Sequence, residues 1–128
     1  MGLLQILTKA VKGLQLTQPT LFTGAVAHAG GGQANATQLL HSIVKIATVA
    51  TTGDSVMLPN VLEQNVPLKV VNNGANSCNI FPPTGGNLGS GVNTAYALAS
   101  GYAVEFLTNA AGNATVPSYV RICTYAIS

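Results

Sequence analysis

Apolar and polar positions alternate in short runs along most of this chain, the two-residue period of β-strands whose successive side chains point to opposite faces. From Ser42 to Ala50 the run is rich in β-branched residues. It places Val44 and Ile46 on one face and Ile43, Lys45, Ala47 and Val49 on the other. Val66, Leu68 and Val70 share a face in the same way, as do Cys78 and Ile80. Tyr102, Val104 and Phe106 form another such set, with Glu105 opposite. In the last run, Ser118 to Ile127, Val120 and Ile122 lie on one face and Arg121 on the other. Further strands are expected at Leu21–His28, Ser55–Leu58 and Ala95–Ala99.

Turn residues punctuate these runs. Thr51-Thr52-Gly53-Asp54 reads as the turn of one hairpin, closed off by Pro59-Asn60. Asn73-Gly74 reads as the turn of a central hairpin within Val66–Gly86. Pro82-Pro83 ends its second strand, because proline has no amide hydrogen for a ladder. Ala29–Gly32, Thr84–Val92 and Asn109–Pro117 are loops, and Ser100-Gly101 is a tight turn. Asn35 followed by Gln38 has the spacing of a capping box, which predicts one helical turn over Ala36–His41. The fold class expected is all-β, an antiparallel β-sandwich or jelly-roll-like barrel of about seven to eight short strands. It forms a single domain over residues 22–128, preceded by an N-terminal arm, residues 1–21.

In the arm, Leu3, Leu4, Ile6, Leu7, Val11, Leu14 and Leu16 are apolar, and Gly13 and Pro19 limit any regular element. An amphipathic helix from Leu3 to Lys12 fits this spacing, and so does an extended strand added to a neighbour's sheet. No apolar run approaches the ~20 residues of a membrane helix, and a basic start followed by an apolar block is missing. Neither a membrane span nor a secretory signal is therefore expected, and the sequons Asn35-Ala36-Thr37 and Asn113-Ala114-Thr115 read as chance.

Composition changes this picture in one respect. Hydrophobic residues make up 48% and charged residues only 6%, against roughly 25% charged in a typical soluble domain. So bland a surface suits a protein that works inside an assembly. The net charge of +2 comes from Lys9 and Lys12 in the arm; beyond them Lys45, Lys69 and Arg121 balance Asp54, Glu63 and Glu105. Five scattered cations make no basic patch, which argues against nucleic acid as a partner.

Candidate chemistry is sparse. A paired-carboxylate hydrolase would need two of only three acids in one cleft, and Asp54 sits in a turn that its own Asx hydrogen bonds explain. There is no Gly-x-Ser-x-Gly elbow, and Gly30-Gly31-Gly32 is followed by Gln33-Ala34-Asn35 rather than the Gly-Lys-Ser/Thr of a phosphate loop. His28 and His41 lack a third ligand at metal spacing, and Cys78 and Cys123 fit none, so they read as two free thiols. With no tryptophan and 5% aromatics, stacking on sugars or single strands is disfavoured. The expectation is a non-enzyme with no cofactor and no metal.

The segments AGGGQANATQL, IATVATTGDSVMLP, VVNNGANSCNIFPPTGG and ALASGYAVEF resemble small virion structural proteins of tailed bacteriophages, among them capsid decoration, or cement, proteins. The resemblance spans about Thr23 to Leu107. It implies a β-rich domain made in the host bacterial cytoplasm and carried on the capsid surface of the virion. It also implies a homotrimer bound to the outside of the major capsid protein shell, which it stabilises. Attachment would fall to the arm, through Leu3, Leu4, Ile6, Leu7, Lys9, Lys12 and Leu14. The alternative is a tail-fibre, head-fibre or baseplate module for host-surface attachment. Its function would lie in the loops 30–35, 84–93 and 109–118.

Overall fold

The computed structural model describes residues 20–109 and 117–127. Among these the chain is strand-rich and contains no helix. Nine strands, β1 (Leu21–Val26), β2 (Thr37–Gln38), β3 (Ile43–Thr48), β4 (Ser55–Met57), β5 (Pro67–Asn72), β6 (Cys78–Phe81), β7 (Tyr96–Leu98), β8 (Tyr102–Thr108) and β9 (Tyr119–Ala126), make two sheets. One runs β1-β3-β5-β8-β9 and the other β2-β4-β6-β7. Neither closes into a barrel.

The sheets are mixed, which corrects the expectation of antiparallel pairing throughout. β1, β3 and β5 are parallel neighbours, as are β2, β4 and β6. The chain therefore winds, laying one strand in the large sheet and the next in the small one. Successive large-sheet strands begin at Leu21, Ile43 and Pro67. Antiparallel pairing enters only afterwards, at β5–β8, β6–β7 and β8–β9.

Both expected hairpins are overturned by the same fact. The turn at Thr51–Asp54 carries the chain from β3 in one sheet to β4 in the other, and Asn73-Gly74 carries it from β5 to β6. A two-residue Asn-Gly hairpin turn of type I′ needs positive φ at both residues. Neither Asn73 nor Gly74 has it. Gly74 is required for space instead: a Cβ there would stand 2.6 Å from the backbone nitrogen of Val49.

The expected helical turn over Ala36–His41 is also absent. Thr37 and Gln38 form β2, paired with Val56 and Met57. Gln38 does not cap; its Nε2 donates to the carbonyls of Leu39 (2.8 Å) and Leu58 (3.1 Å), serving the sheet's rim.

In β3, β5, β6 and β8 the buried positions follow the alternation read from the sequence. Phe22, Val44, Val70, Val104 and Thr124 stand side by side across the large sheet, and Thr37, Val56, Ile80 and Tyr96 across the small one. The central members of both rows are buried in one cluster with Ile46, Leu58, Leu98 and Phe106. Burying such side chains contributes roughly 1.5–3 kcal/mol each before entropy is counted.

Candidate functional site

The two inner rows end differently at the two ends of the stack. At the β7–β9 end the Tyr96 hydroxyl meets Thr124 Oγ1 at 2.8 Å, linking the last residue of one row to the last of the other. The Arg121 guanidinium lies 4.4 Å from the centre of the Tyr96 ring, whose edge contact with Phe106 has centroids 6.3 Å apart. This end is closed by polar groups with apolar stems.

A β-bulge puts Arg121 there. Glu105 pairs with Cys123 but Phe106 pairs with Arg121, so Ile122 is the extra residue. One inserted residue exchanges the faces of everything beyond it. Arg121 thereby joins the buried Tyr119 on the inner side, while Val120 and Ile122 are left exposed.

At the other end the rows finish on Phe22 and Thr37, and nothing among the described residues covers them. Between β1 and β2 lies a groove of about 380 Å³ whose walls include Phe22, Val26, Leu39, Leu40, His41 and Val44. Phe22 is 43% exposed, Val26 54% and Leu40 77%. His41 stacks on Phe22, ring centroids 5.3 Å apart and 17° from coplanar. Its described lining residues include no acid and no cysteine, and most of them are apolar. Thr20, the residue before β1, is pinned at its rim: its N–H donates to Ser42 Oγ (2.8 Å) and its carbonyl accepts from Ile43 N–H (2.9 Å).

The arm residues expected to bind, Leu3, Leu4, Ile6, Leu7, Lys9, Lys12 and Leu14, lie outside the described residues. The groove itself escaped the sequence reading. Leu40 followed by His41, an apolar–polar pair beyond a two-residue strand, looks in one dimension like part of a turn.

The glycine loops are occupied by the protein's own groups. Asn87 Oδ1 accepts from the N–H groups of Gly89 (2.6 Å) and Gly91 (3.2 Å), and Asn93 Oδ1 from Gly85 N–H (2.6 Å). Gly31 is needed because a Cβ would stand 2.7 Å from the Gly53 carbonyl oxygen. Asp54 is buried, accepting from Thr51 N–H (3.0 Å) and Gly30 N–H (3.3 Å), the turn role its position predicts. Among the described residues no three or more His, Cys, Asp or Glu side chains gather to hold a metal ion. Among the described residues no helix is long and apolar enough to cross a membrane.

The cysteines are both free and differ in setting. Burial pushes the Cys78 thiol up to about 12, with the Asp54 carboxylate adding to the shift. Cys123 is exposed; local desolvation and the Glu105 carboxylate, 3.7 Å from Sγ, raise its thiol while Lys69 lowers it. A thiolate-specific reagent should therefore modify one thiol in the folded protein and two after unfolding. Glu105→Gln should accelerate the first reaction. Equal rates for both thiols in the folded state would contradict this placement of Cys78.

No family model, no curated protein and no solved structure matches this chain.

Proposed function

We propose that the protein is a non-enzymatic capsid decoration, or cement, protein of a tailed bacteriophage, made in the host cytoplasm and carried on the virion. It binds the outside of the major capsid protein shell as a homotrimer and stabilises it. We also read the two sheets as layers of a sandwich-like body, since their inner side chains share one cluster. The observation that carries the functional proposal is one exposed apolar patch. Leu21, Phe22, Val26 and Leu40 gather at the end from which the arm departs. An apolar arm leaving an apolar end offers a single attachment surface, and a body with few charges pays little desolvation cost when it packs against a lattice. Three such arms on one trimer would multiply a weak individual contact through effective concentration.

Deleting residues 1–10, which carry Leu3, Leu4, Ile6, Leu7 and Lys9, should lower binding to purified particles by roughly tenfold or more. The far-ultraviolet spectrum of the domain should not change. Undiminished binding would refute the arm's role. Copy number tests the wider proposal: a ratio to the major capsid protein near one supports a shell-wide component. A few per cent would instead place the chain on a tail or vertex, and absence from particles would end the virion proposal.

A further inference from the structure

We propose that the outer edge of β9, from Arg121 to Ala126, takes an extended acidic segment of a partner protein as an added strand, with a partner carboxylate on the Arg121 guanidinium. This goes beyond the shell proposal and does not depend on it.

The backbone is the first reason. β9 is an edge strand of the large sheet, eight residues long and paired on one side with β8. The other edges are short or broken: β2 has two residues, β7 has three, and β1 pairs through register shifts. Unpaired N–H and C=O groups along an edge are a template for another chain. The domain already uses this edge once. Asn87 bridges to Ser118, and its carbonyl accepts from Tyr119 N–H at 2.9 Å. The loop then turns back on the Asn87 side chain, and beyond Tyr119 nothing among the described residues pairs with the edge. Tyr119 N–H points away from β8, so by alternation the backbone groups of Arg121 point the same way.

Charge is the second. The Arg121 guanidinium lies on the Tyr96 ring, which is itself held by the Phe106 edge contact and the hydrogen bond to Thr124. A stacked guanidinium keeps its in-plane N–H donors free for a carboxylate, and one already fixed loses little freedom on binding. Among the described residues no carboxylate pairs with it. Asp54 is buried in its turn, Glu105 lies between Lys69 and Cys123 on the opposite face of the sheet, and Glu63 is exposed in the loop before β5. Residues 1–19 and 110–116 add no Asp or Glu.

Space is the third. A pocket of about 250 Å³ lies where the loop leaves the edge, walled by Leu88, Gly89, Ser90, Tyr119, Val120 and Arg121. Leu88 and Tyr119 are buried, so part of its wall is apolar, and its one charge is the Arg121 cation. Val120 and Ile122 are exposed and offer apolar contacts to alternate residues of an added strand. The occupant is a different protein rather than a second copy. The edge strands β1, β2, β7 and β9 of this chain contain no acid, so a copy added through one of them would leave Arg121 unpaired.

The test uses the isolated full chain and a labelled peptide probe, Thr-Val-Glu-Val-Thr with both ends blocked, followed by fluorescence anisotropy. Binding should be saturable. Replacing the probe's Glu by Gln should weaken it roughly threefold to fivefold at low salt. That difference should shrink above about 0.5 M salt. Because the change is made in the probe, the result does not hang on the folding of a variant. Arg121→Gln in the protein should bind the two probes alike. Methylating the probe's backbone nitrogens should abolish binding, since an added strand needs its ladder donors. At saturation, hydrogen exchange of the Arg121 amide should slow roughly tenfold or more. No binding, equal binding of the Glu and Gln probes at low salt, or undiminished binding of the methylated probe would each overturn the proposal. So would Arg121 protection that rises with protein concentration alone, the sign of a second copy on this edge. Every readout uses isolated protein, so it stands apart from the particle-binding result.

Discussion

Phe106→Ala should destabilise the domain by about 3–5 kcal/mol, the range for truncating a fully buried aromatic side chain. Phe106 is among the largest fully buried side chains and belongs to the cluster that both sheets share. Its ring also takes the edge contact of Tyr96, on which Arg121 rests. Truncation therefore removes transfer energy, leaves a cavity, and loosens the closed end of the stack. In a domain of this size the loss corresponds to a fall in Tm on the order of 15 °C. Phe106→Leu, which keeps most of the volume, should cost about 1 kcal/mol. Urea unfolding of both variants measures this. A loss under about 1 kcal/mol for Ala would mean that the sheets do not depend on a common core.

Asn72→Ala is expected to cost about 2–4 kcal/mol, through hydrogen bonds rather than volume. Asn72 is fully buried at the end of β5, where the chain leaves the large sheet for the small one. Its Nδ2 donates to the carbonyls of Asn76 and Leu98, each at 2.9 Å, and its Oδ1 accepts from Gly74 N–H at 2.9 Å. One amide thus satisfies the crossing turn and ties it to β7. Alanine strands all three backbone groups away from water. Asn72→Asp separates this account from a packing one. It is nearly isosteric, yet it turns a carboxylate oxygen toward two carbonyls, so at neutral pH it should destabilise at least as much as alanine. If Asp is tolerated while Ala is not, the side chain's shape matters more than its donors.

Those two residues mark how far the sequence could be read. Phe106 was legible: a strongly alternating run with Val104 and Phe106 on one face identifies a core strand wherever its partners lie. Asn72 was not, because in one dimension it belongs to an Asn-rich turn, and Asn-Gly after an apolar run is the strongest short-range hairpin signal. Only the crossing between sheets turns that amide into an internal tie. β2 was missed for a related reason. Two residues carry no period, and the polar Thr37 and Gln38 are strand residues because Val56 and Met57 offer them an edge.

The candidate site divides in the same way. The arm's apolar character and its two lysines are properties of composition, visible without a fold. The open groove is a property of assembly, made by β1 and β2 lying at the same end of two different sheets. Arg121's place over Tyr96 depends on one extra residue in β9, and alternation alone puts it on the wrong face.

By itself, then, the sequence determined most of the strands and which side of most of them is apolar. Period and residue type carry that information locally. Which strands became neighbours, whether they run parallel, and which end of the stack was left uncovered were decided by tertiary structure. A two-residue period specifies the face of a strand but not its partner, and partners are chosen by how the apolar faces of distant segments close over one another.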